Sequence, residues 1–407
     1  MNNTATTKKK YKLAIIASHV IQYAVPLYKK ISLHPDIDLT VFFCSRQGLS
    51  ALLEDPGFGF KLQWDNLDLK GIKHRFLKNY SCCPNLNGFF GLINPGIIPE
   101  LERNKYDAIL VGGYSLCSYW LAFLGAFLTK TPLILSGEPP SLWKSRFRKI
   151  TMGIVKKIFM PVLLKNVSAI LYIGIKSKEY YLSFCKDIKE KMFFCPYSVD
   201  NDYYVGKEKE YAGRKKQLRE ELGIRTDYPV ILFLSKMIKW KRPMFLLEVF
   251  SGLKYPAALV YVGSGSRHES LVKYVTHYGI KNVHFFGFKN YSQIPKFYFI
   301  SDVFVLPSLG ESWGLVVNEA MCFGLPVITT NKVMSAYDLV KDGENGYIIR
   351  AENKQELTNR LEYLLANPAQ RQEMGEASKR IISNWNYDNW IGGLISALEF
   401  IKREKQK

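Results

Sequence analysis

Residues 302–331 constrain this chain more tightly than any other stretch of it. The segment Val303–Leu306 is a short run of large apolar side chains and reads as a strand buried on both faces. The loop leaving it carries Pro307 and Glu311, and residues 314–322 read as a helix, so a strand delivers a loop and the loop opens a helix. Amide N–H groups in the first turn of a helix have no partner within it, so Gly314, Leu315 and Val316 can offer theirs to a phosphate or a hydroxyl. Gly314 also lets a ligand approach the backbone. With the helix starting at Gly314, Glu311 lies in the loop at its mouth and Glu319 one to two turns in. Two carboxylates can then serve different parts of one ligand, against the bland alternative of one solvated loop glutamate and one exposed helix glutamate.

The same theme recurs along the chain. Residues 12–17, 38–43, 107–114, 132–138, 169–173 and 191–195, and then 230–234, 258–265 and 283–288, are apolar runs delivering loops, several of them rich in glycine. That alternation predicts an α/β chain with parallel sheets, and 407 residues suit two domains that each bury a core. Ligands of open parallel sheets bind beyond the carboxyl ends of the strands. The loop after the first strand therefore makes His19, Gln22 and Tyr23 candidate contacts, and Glu138 is the acidic group ending the run at 132–138; structural roles for His19 and Glu138 stay open. Gly-Ser-Gly at 263–265 lacks the dinucleotide fingerprint. The polar run 206–219 reads as an exposed linker entering a helix that stops at Gly223. Residues 354–367 and 369–384 look helical.

Fifty-six Lys and Arg against 36 Asp and Glu leave a net charge of +20, which implies an anionic partner such as a nucleotide, nucleic acid, polyanion or acidic lipid. Seven cysteines without a Cys-x₂-Cys repeat, most of them in apolar runs, suggest reduced buried thiols, and neither they nor the six histidines have zinc-ligand spacing. The stretch before the first strand is polar and basic and lacks the apolar core of a signal peptide, so a cytoplasmic chain is expected. Residues 115–135 are strongly apolar but interrupted by Lys130 and Pro132, and read as a buried helix between buried strands. Residues 143–166 interleave lysines and arginines with apolar side chains. Such a stretch suits either the solvated outer face of a domain helix, the slightly favoured reading, or an anionic membrane surface.

The pair Glu311-x₇-Glu319, with Pro307-Ser308, Gly314-Leu315, Gly324-Leu-Pro326 and the turn cluster at 341–346, resembles the donor signature of the retaining group-1 (family 4) nucleotide-sugar glycosyltransferases of the GT-B fold. His19-x₂-Gln22-Tyr23-x₂-Pro26 looks like the opening of one branch of that family, and residues 196–201 look like its exit from the first domain. The resemblance implies two Rossmann-like domains with parallel sheets facing a central cleft: residues 1–203 on the acceptor side, residues 204–384 binding the donor, and residues 385–407 crossing back to the first domain. It further implies that Glu319 holds the ribose hydroxyls, Glu311 the hydroxyls of the donor sugar, and the amides of Gly314, Leu315 and Val316 sugar and phosphate. Lys236 and Lys241 would neutralise the leaving diphosphate, Ser235 would sit beside it, and Gly287 and Phe288 would meet the base. Relatives often have Gly-Arg where this chain has Ser235-Lys236, so bidentate contact is lost while the charge survives. A histidine that reaches the donor sugar in many relatives is replaced here by Gly113-Tyr114-Ser115. Trp64, Asp65 and Asn79 fall in loops that usually build the acceptor site, although Trp64 is equally plausible as core.

The resemblance implies sugar transfer with retention from a nucleotide-diphosphate sugar to a glycan or lipid-linked acceptor in cell-surface polysaccharide or glycolipid synthesis. It implies no metal and no other cofactor, and no Asp-x-Asp pair suited to a metal-held diphosphate is evident. An anionic membrane surface is a possible partner, placing the chain in the cytoplasm or peripherally on the inner face of the plasma membrane. Nucleic acid is not expected, since no recognised module interleaves basic and stacking side chains. Two other classes remain open at this point: a nucleotide-sugar epimerase of similar architecture, and a non-catalytic carbohydrate or nucleotide binder.

Overall fold

The apolar runs pair into two sheets, each wholly parallel. The computed structural model describes residues 10–49, 53–55, 60–62, 64, 65, 67–86, 88–137 and 146–407. In chain order its strands are β1 (Tyr11–Ala17), β2 (Ile37–Phe43), β3 (Leu53–Asp55), β4 (Phe60–Leu62), β5 (His74–Phe76), β6 (Ala108–Val111), β7 (Leu133–Ser136), β8 (Ala169–Tyr172), β9 (Met192–Phe194), β10 (Val230–Leu234), β11 (Ala258–Val262), β12 (Val283–Phe285), β13 (Val303–Leu306), β14 (Val327–Thr330) and β15 (Gly346–Ile349). The first sheet runs β5-β2-β1-β6-β7-β8-β9 and the second β12-β11-β10-β13-β14-β15, while β3 and β4 form a separate antiparallel hairpin. Both sheets are doubly wound, with the strand order reversing beside β1 in one and β10 in the other. Loops leaving β1 and β6, or β10 and β13, therefore diverge and open a crevice at the carboxyl edge.

Strands such as β10 and β13 are buried along their whole length, which is why they appear in the sequence as unbroken apolar runs. The C-terminal helix Tyr387–Glu404 turns Trp390, Ile391, Leu394, Leu398 and Ile401 into the core of the first sheet, a spacing that keeps them on one helical face. It passes so close to β9 that a Cβ on Gly393 would lie 2.0 Å from the Phe194 carbonyl oxygen.

Several sequence expectations are corrected. The run 206–219 is not an exposed linker: its first part belongs to the helix Asn201–Tyr211, capped by Asp200, which accepts from the Tyr203 N–H at 3.0 Å. Arg219, in the helix Lys215–Glu221, is buried against the Ile300 carbonyl and Asp302, 2.6 Å away. The polar composition there conceals a buried ion pair. The helix Cys117–Leu128 is not buried all round, because Leu124, Phe127 and Leu128 face solvent. Cys82 and Cys83 are also exposed, whereas Cys44, Cys185, Cys195 and Cys322 are buried. The boundary expected at 203/204 falls inside Asn201–Tyr211, whose Tyr204 packs in the core of the second sheet.

Gly392 and Gly393 give a paired test of the docked helix. Gly393→Ala is expected to cost about 2 kcal/mol through overpacking against β9. Its neighbour Gly392 has nothing within 4 Å of a new Cβ, so Gly392→Ala should gain about 0.5–1 kcal/mol from helix propensity. Thermal melting of the two variants should move in opposite directions.

Candidate functional site

The loops after β10 and β13 leave neighbouring strands and are tied together where they emerge. Leu309 donates its N–H to the Trp240 carbonyl at 2.8 Å, and Glu311 donates to the Lys332 carbonyl at 3.0 Å beyond the end of β14. Thr329 and Thr330, at that same end, donate their hydroxyls to the carbonyls of Leu306 (3.0 Å) and Ser308 (2.5 Å). These bonds leave the Glu311 carboxylate at the cleft, where it pairs with the Lys241 ammonium; both side chains are mostly buried. Arg242 turns away to pair with Glu352 at 2.9 Å.

Gly314 follows at φ +100°, a left-handed conformation that favours glycine. That angle cannot belong to an α-helix, so the helix runs Val316–Cys322 with Leu315 as its N-cap, two residues later than expected. The N–H groups of Gly314, Leu315 and Val316 have no hydrogen-bond acceptor among the described residues. Glu319 lies at the fourth position of this helix, and Tyr298 from the helix Pro295–Ile300 donates to it at 2.6 Å. Burial raises the pKa of Glu319 to about 7, only partly offset by tyrosine hydroxyls hydrogen-bonded to it.

These groups line a cavity of about 270 Å³ between the sheets, to which the first domain contributes Gln22, Tyr23 and Tyr197 and the C-terminal helix Tyr387. Of the sequence candidates, the structure brings Glu311, Lys241, Gly314, Leu315, Val316, Glu319, Gln22 and Tyr23 together here. Ser235, Lys236, Gly287, Phe288 and His19 are outside the lining. Ser235 is held by its N–H to the Val262 carbonyl at 3.1 Å. Phe288 stacks obliquely on Trp64, with ring centroids 5.5 Å apart, and Asp65 accepts from Ser292, so the first domain's insertion rests on the loop expected to meet a base. His19 bonds Ser18 at 2.9 Å, and burial lowers its pKa to about 4, so it is neutral at physiological pH. Asn79 is structural, its amide clasping Gly91 and Ile93. Glu138 lies outside the described residues.

A second cavity, of about 940 Å³, opens over the carboxyl ends of β1, β6 and β7 and shares Tyr23, Tyr197 and Tyr387 with the first. Gly112, Gly113 and Gly137 floor it, and Tyr114 and Lys156 stand in its wall. Tyr114 shares a 2.6 Å hydrogen bond with Tyr180.

Sequence reasoning missed several groups. Asn318 is wholly buried, accepting from the Trp313 indole at 2.9 Å and donating to the Tyr197 carbonyl across the domain junction at 2.8 Å. Its place beside Glu319 was the only signal. Tyr204, Tyr291, Tyr298 and Tyr387 surround Glu319 from distant segments, and their phenols are held protonated mainly by burial, with the nearby carboxylate adding to the effect. Nothing local in sequence marks them.

Two facing doubly wound domains with this cleft define the GT-B class of glycosyltransferases. Residues 214–381, within the second domain, match the family described as glycosyl transferases group 1. Spore coat protein SA of Bacillus subtilis (strain 168) is 31% identical over 198 residues, covering 46% of this chain and 52% of that protein, so the match spans about half the length of the relative. The crystal structure of a glycosyltransferase from Rickettsia africae ESF-5 superposes with a TM-score of 0.75 at 17% identity, covering 96% of this chain and 98% of that one. Anabaena HepE, solved in complex with UDP, gives 0.70 at 16% identity, covering 96% and 99%.

The Glu319 carboxyl makes a signed prediction. Its pKa rises from 4.5 to about 7 on folding, so its contribution to stability is fully present below about pH 4.5 and is lost as pH climbs through about 7. The difference in unfolding free energy between the ligand-free protein and Glu319→Gln should shift against the parent by roughly 3 kcal/mol between about pH 5 and about pH 8. Denaturant titrations at several pH values would measure it.

Proposed function

We propose that the chain is a retaining glycosyltransferase that moves a sugar from a nucleotide-diphosphate sugar to a glycan or lipid-linked acceptor, in cell-surface polysaccharide or glycolipid synthesis. The observation carrying this is that Glu311, Lys241, Glu319 and the amides of Gly314, Leu315 and Val316 line one cavity, closed on its other side by Gln22 and Tyr23. The family match over the second domain and the UDP held by the Anabaena relative support the donor class.

In this reading Glu319 accepts from the ribose hydroxyls and Glu311 from hydroxyls of the donor sugar. The amides at the start of the helix Val316–Cys322 cradle phosphate or sugar oxygens. Lys241 shifts from Glu311 towards the diphosphate as charge develops on it, with Lys236 as a further cation, Ser235 beside them and Gly287 and Phe288 towards the base. Each such contact to a developing charge contributes ~3 kcal/mol. As the family resemblance implies, the leaving diphosphate itself acts as the base. The bond from the anomeric carbon to the diphosphate oxygen breaks, the acceptor oxygen bonds the same face of that carbon, and its proton passes to the diphosphate. Lysines meet the charge, so no metal is required. His19 belongs to the acceptor side.

Thermal melting against nucleoside diphosphates and their sugars is the first test. A ligand at a hundred times its dissociation constant adds ~2.7 kcal/mol, and the shift should vanish in Glu319→Ala. Glu311→Ala and Lys241→Ala should each cut transfer at least tenfold while the protein remains folded, although each strands one partner of a mostly buried ion pair and should melt somewhat lower, and chelators should leave the rate unchanged. An inverted product would overturn retention, and turnover of the donor sugar with no acceptor present would indicate an epimerase. Ribose hydroxyls stabilise the charged carboxylate, so nucleotide affinity should rise with pH up to about 7, with a proton released on binding that calorimetry in buffers of different ionisation enthalpy would detect.

A further inference from the structure

The helices Cys117–Leu128 and Arg146–Asn166 lie side by side on the first sheet, with the rings of Trp120 and Phe159 4.7 Å apart. Their inner sides fill the core through Ala122, Ala126, Met160 and Leu164. Their outer sides are not polar. Leu124, Phe127 and Leu128, at i, i+3 and i+4, form one exposed stripe, and Ile158 and Val162, at i and i+4, form another; Phe127 is 80% and Ile158 72% accessible. Phe90, next to the first of these helices, is 67% accessible. Single exposed apolar residues need no explanation, but two neighbouring helices that both turn such stripes outward do.

The surroundings of this face say what covers it. Residues 146–166 contain six Lys and Arg and no Asp or Glu, and the helix Cys117–Leu128 has no charge at all. Lys130, Lys157 and Lys165 are exposed at the edges, and among the described residues the one carboxylate ion-paired with any of them is Asp187, 3.8 Å from Lys165. An apolar stripe fringed by cations with long apolar stems matches the headgroup region of an anionic bilayer. No helix among the described residues is long and apolar enough to cross a membrane, so the contact is made from the surface. The face also continues into the larger cavity, since Lys156, next to the exposed stripe, and Phe89, next to Phe90, both line it.

We propose that this face of the first domain seats on an anionic lipid surface, so that an acceptor anchored in that surface enters the larger cavity beside Phe89 and Lys156. Only the acceptor half of this rests on the glycosyltransferase reading; the lipid contact stands without it.

Co-sedimentation of the full chain with vesicles tests it. Vesicles of phosphatidylcholine and phosphatidylglycerol in equal parts should carry the chain down, vesicles of phosphatidylcholine alone should not, and raised salt should weaken the binding. Lys157→Glu with Lys165→Glu should weaken partition about fivefold per lysine, and Phe127→Glu with Ile158→Glu should abolish it, while melting temperature and any nucleotide-induced shift stay at parental values. Equal binding to both vesicle types, or binding indifferent to both double variants, overturns the proposal. So does a dimer that Phe127→Glu with Ile158→Glu converts to a monomer, since a second copy would then cover the face. Loss of the nucleotide shift with vesicle binding intact would count against the donor reading and leave the lipid contact standing.

Discussion

The Asn318 side chain has no exposure to solvent and uses both ends of its amide, one towards the Trp313 indole and the other towards the Tyr197 carbonyl of the opposite domain. Leaving either partner unmade in a buried site costs about 1–3 kcal/mol, so the bonds hold loop and helix in one position against the first domain. Tyr197 is packed between Tyr23 and Trp313, with centroids 6.0 and 5.8 Å away, and thereby connects the loop after β1 to the loop after β13. Both cavities share the Tyr197 wall. Geometry at Glu311 and Glu319 therefore depends on a side chain that need touch no ligand.

Around that junction two further contacts between the domains are polar and nearer to solvent. Asp338 accepts the Ile175 N–H at 3.0 Å from the first turn of the helix Ile175–Leu182, and burial raises its pKa to about 6. Gly174 precedes that helix because a Cβ there would fall 2.5 Å from the Trp313 ring. On the other rim Asp65 receives the Ser292 N–H at 3.2 Å. Exposed hydrogen bonds contribute little net stability compared with buried ones. The rims can therefore part at lower cost than the Asn318 junction, which suits a cleft that must admit and release ligands.

The parts of this arrangement legible in the sequence were those specified by neighbours along the chain. A parallel strand buried on both faces has to be a run such as Val303–Leu306, and the glutamates of one loop and the helix after it have to stand eight residues apart. The start of that helix was misplaced because Gly314 takes a left-handed turn and Leu315 supplies no side-chain cap, so there was no Ser, Thr, Asp or Asn to mark the true first residue. The tyrosines around Glu319 come from four separate segments, and only the folded sheet order brings them together. Hydropathy alone read residues 115–135 as interior, because an apolar side chain looks the same in sequence whether it faces a core or solvent. Arg219 shows the converse: a charged residue in a polar run that is buried because Asp302 and the Ile300 carbonyl take up its donors.

Two sets of cations that composition could not distinguish stand on different parts of the molecule. One is the cleft, where Lys241 is matched to Glu311 in a mostly buried pair and, in the function proposed above, exchanges that partner for a phosphate. Exchanging one anionic partner for another avoids stripping a solvated lysine of its water, so the Coulombic gain on a developing charge is not consumed by desolvation. The other is the outer edge of the first domain, where exposed lysines border apolar side chains. Screening with a Debye length of about 8 Å at physiological ionic strength keeps two such fields largely independent when they sit on different faces. A soluble anion drawn to the cleft and an extended anionic surface drawn to the helices therefore need not compete for the same cations.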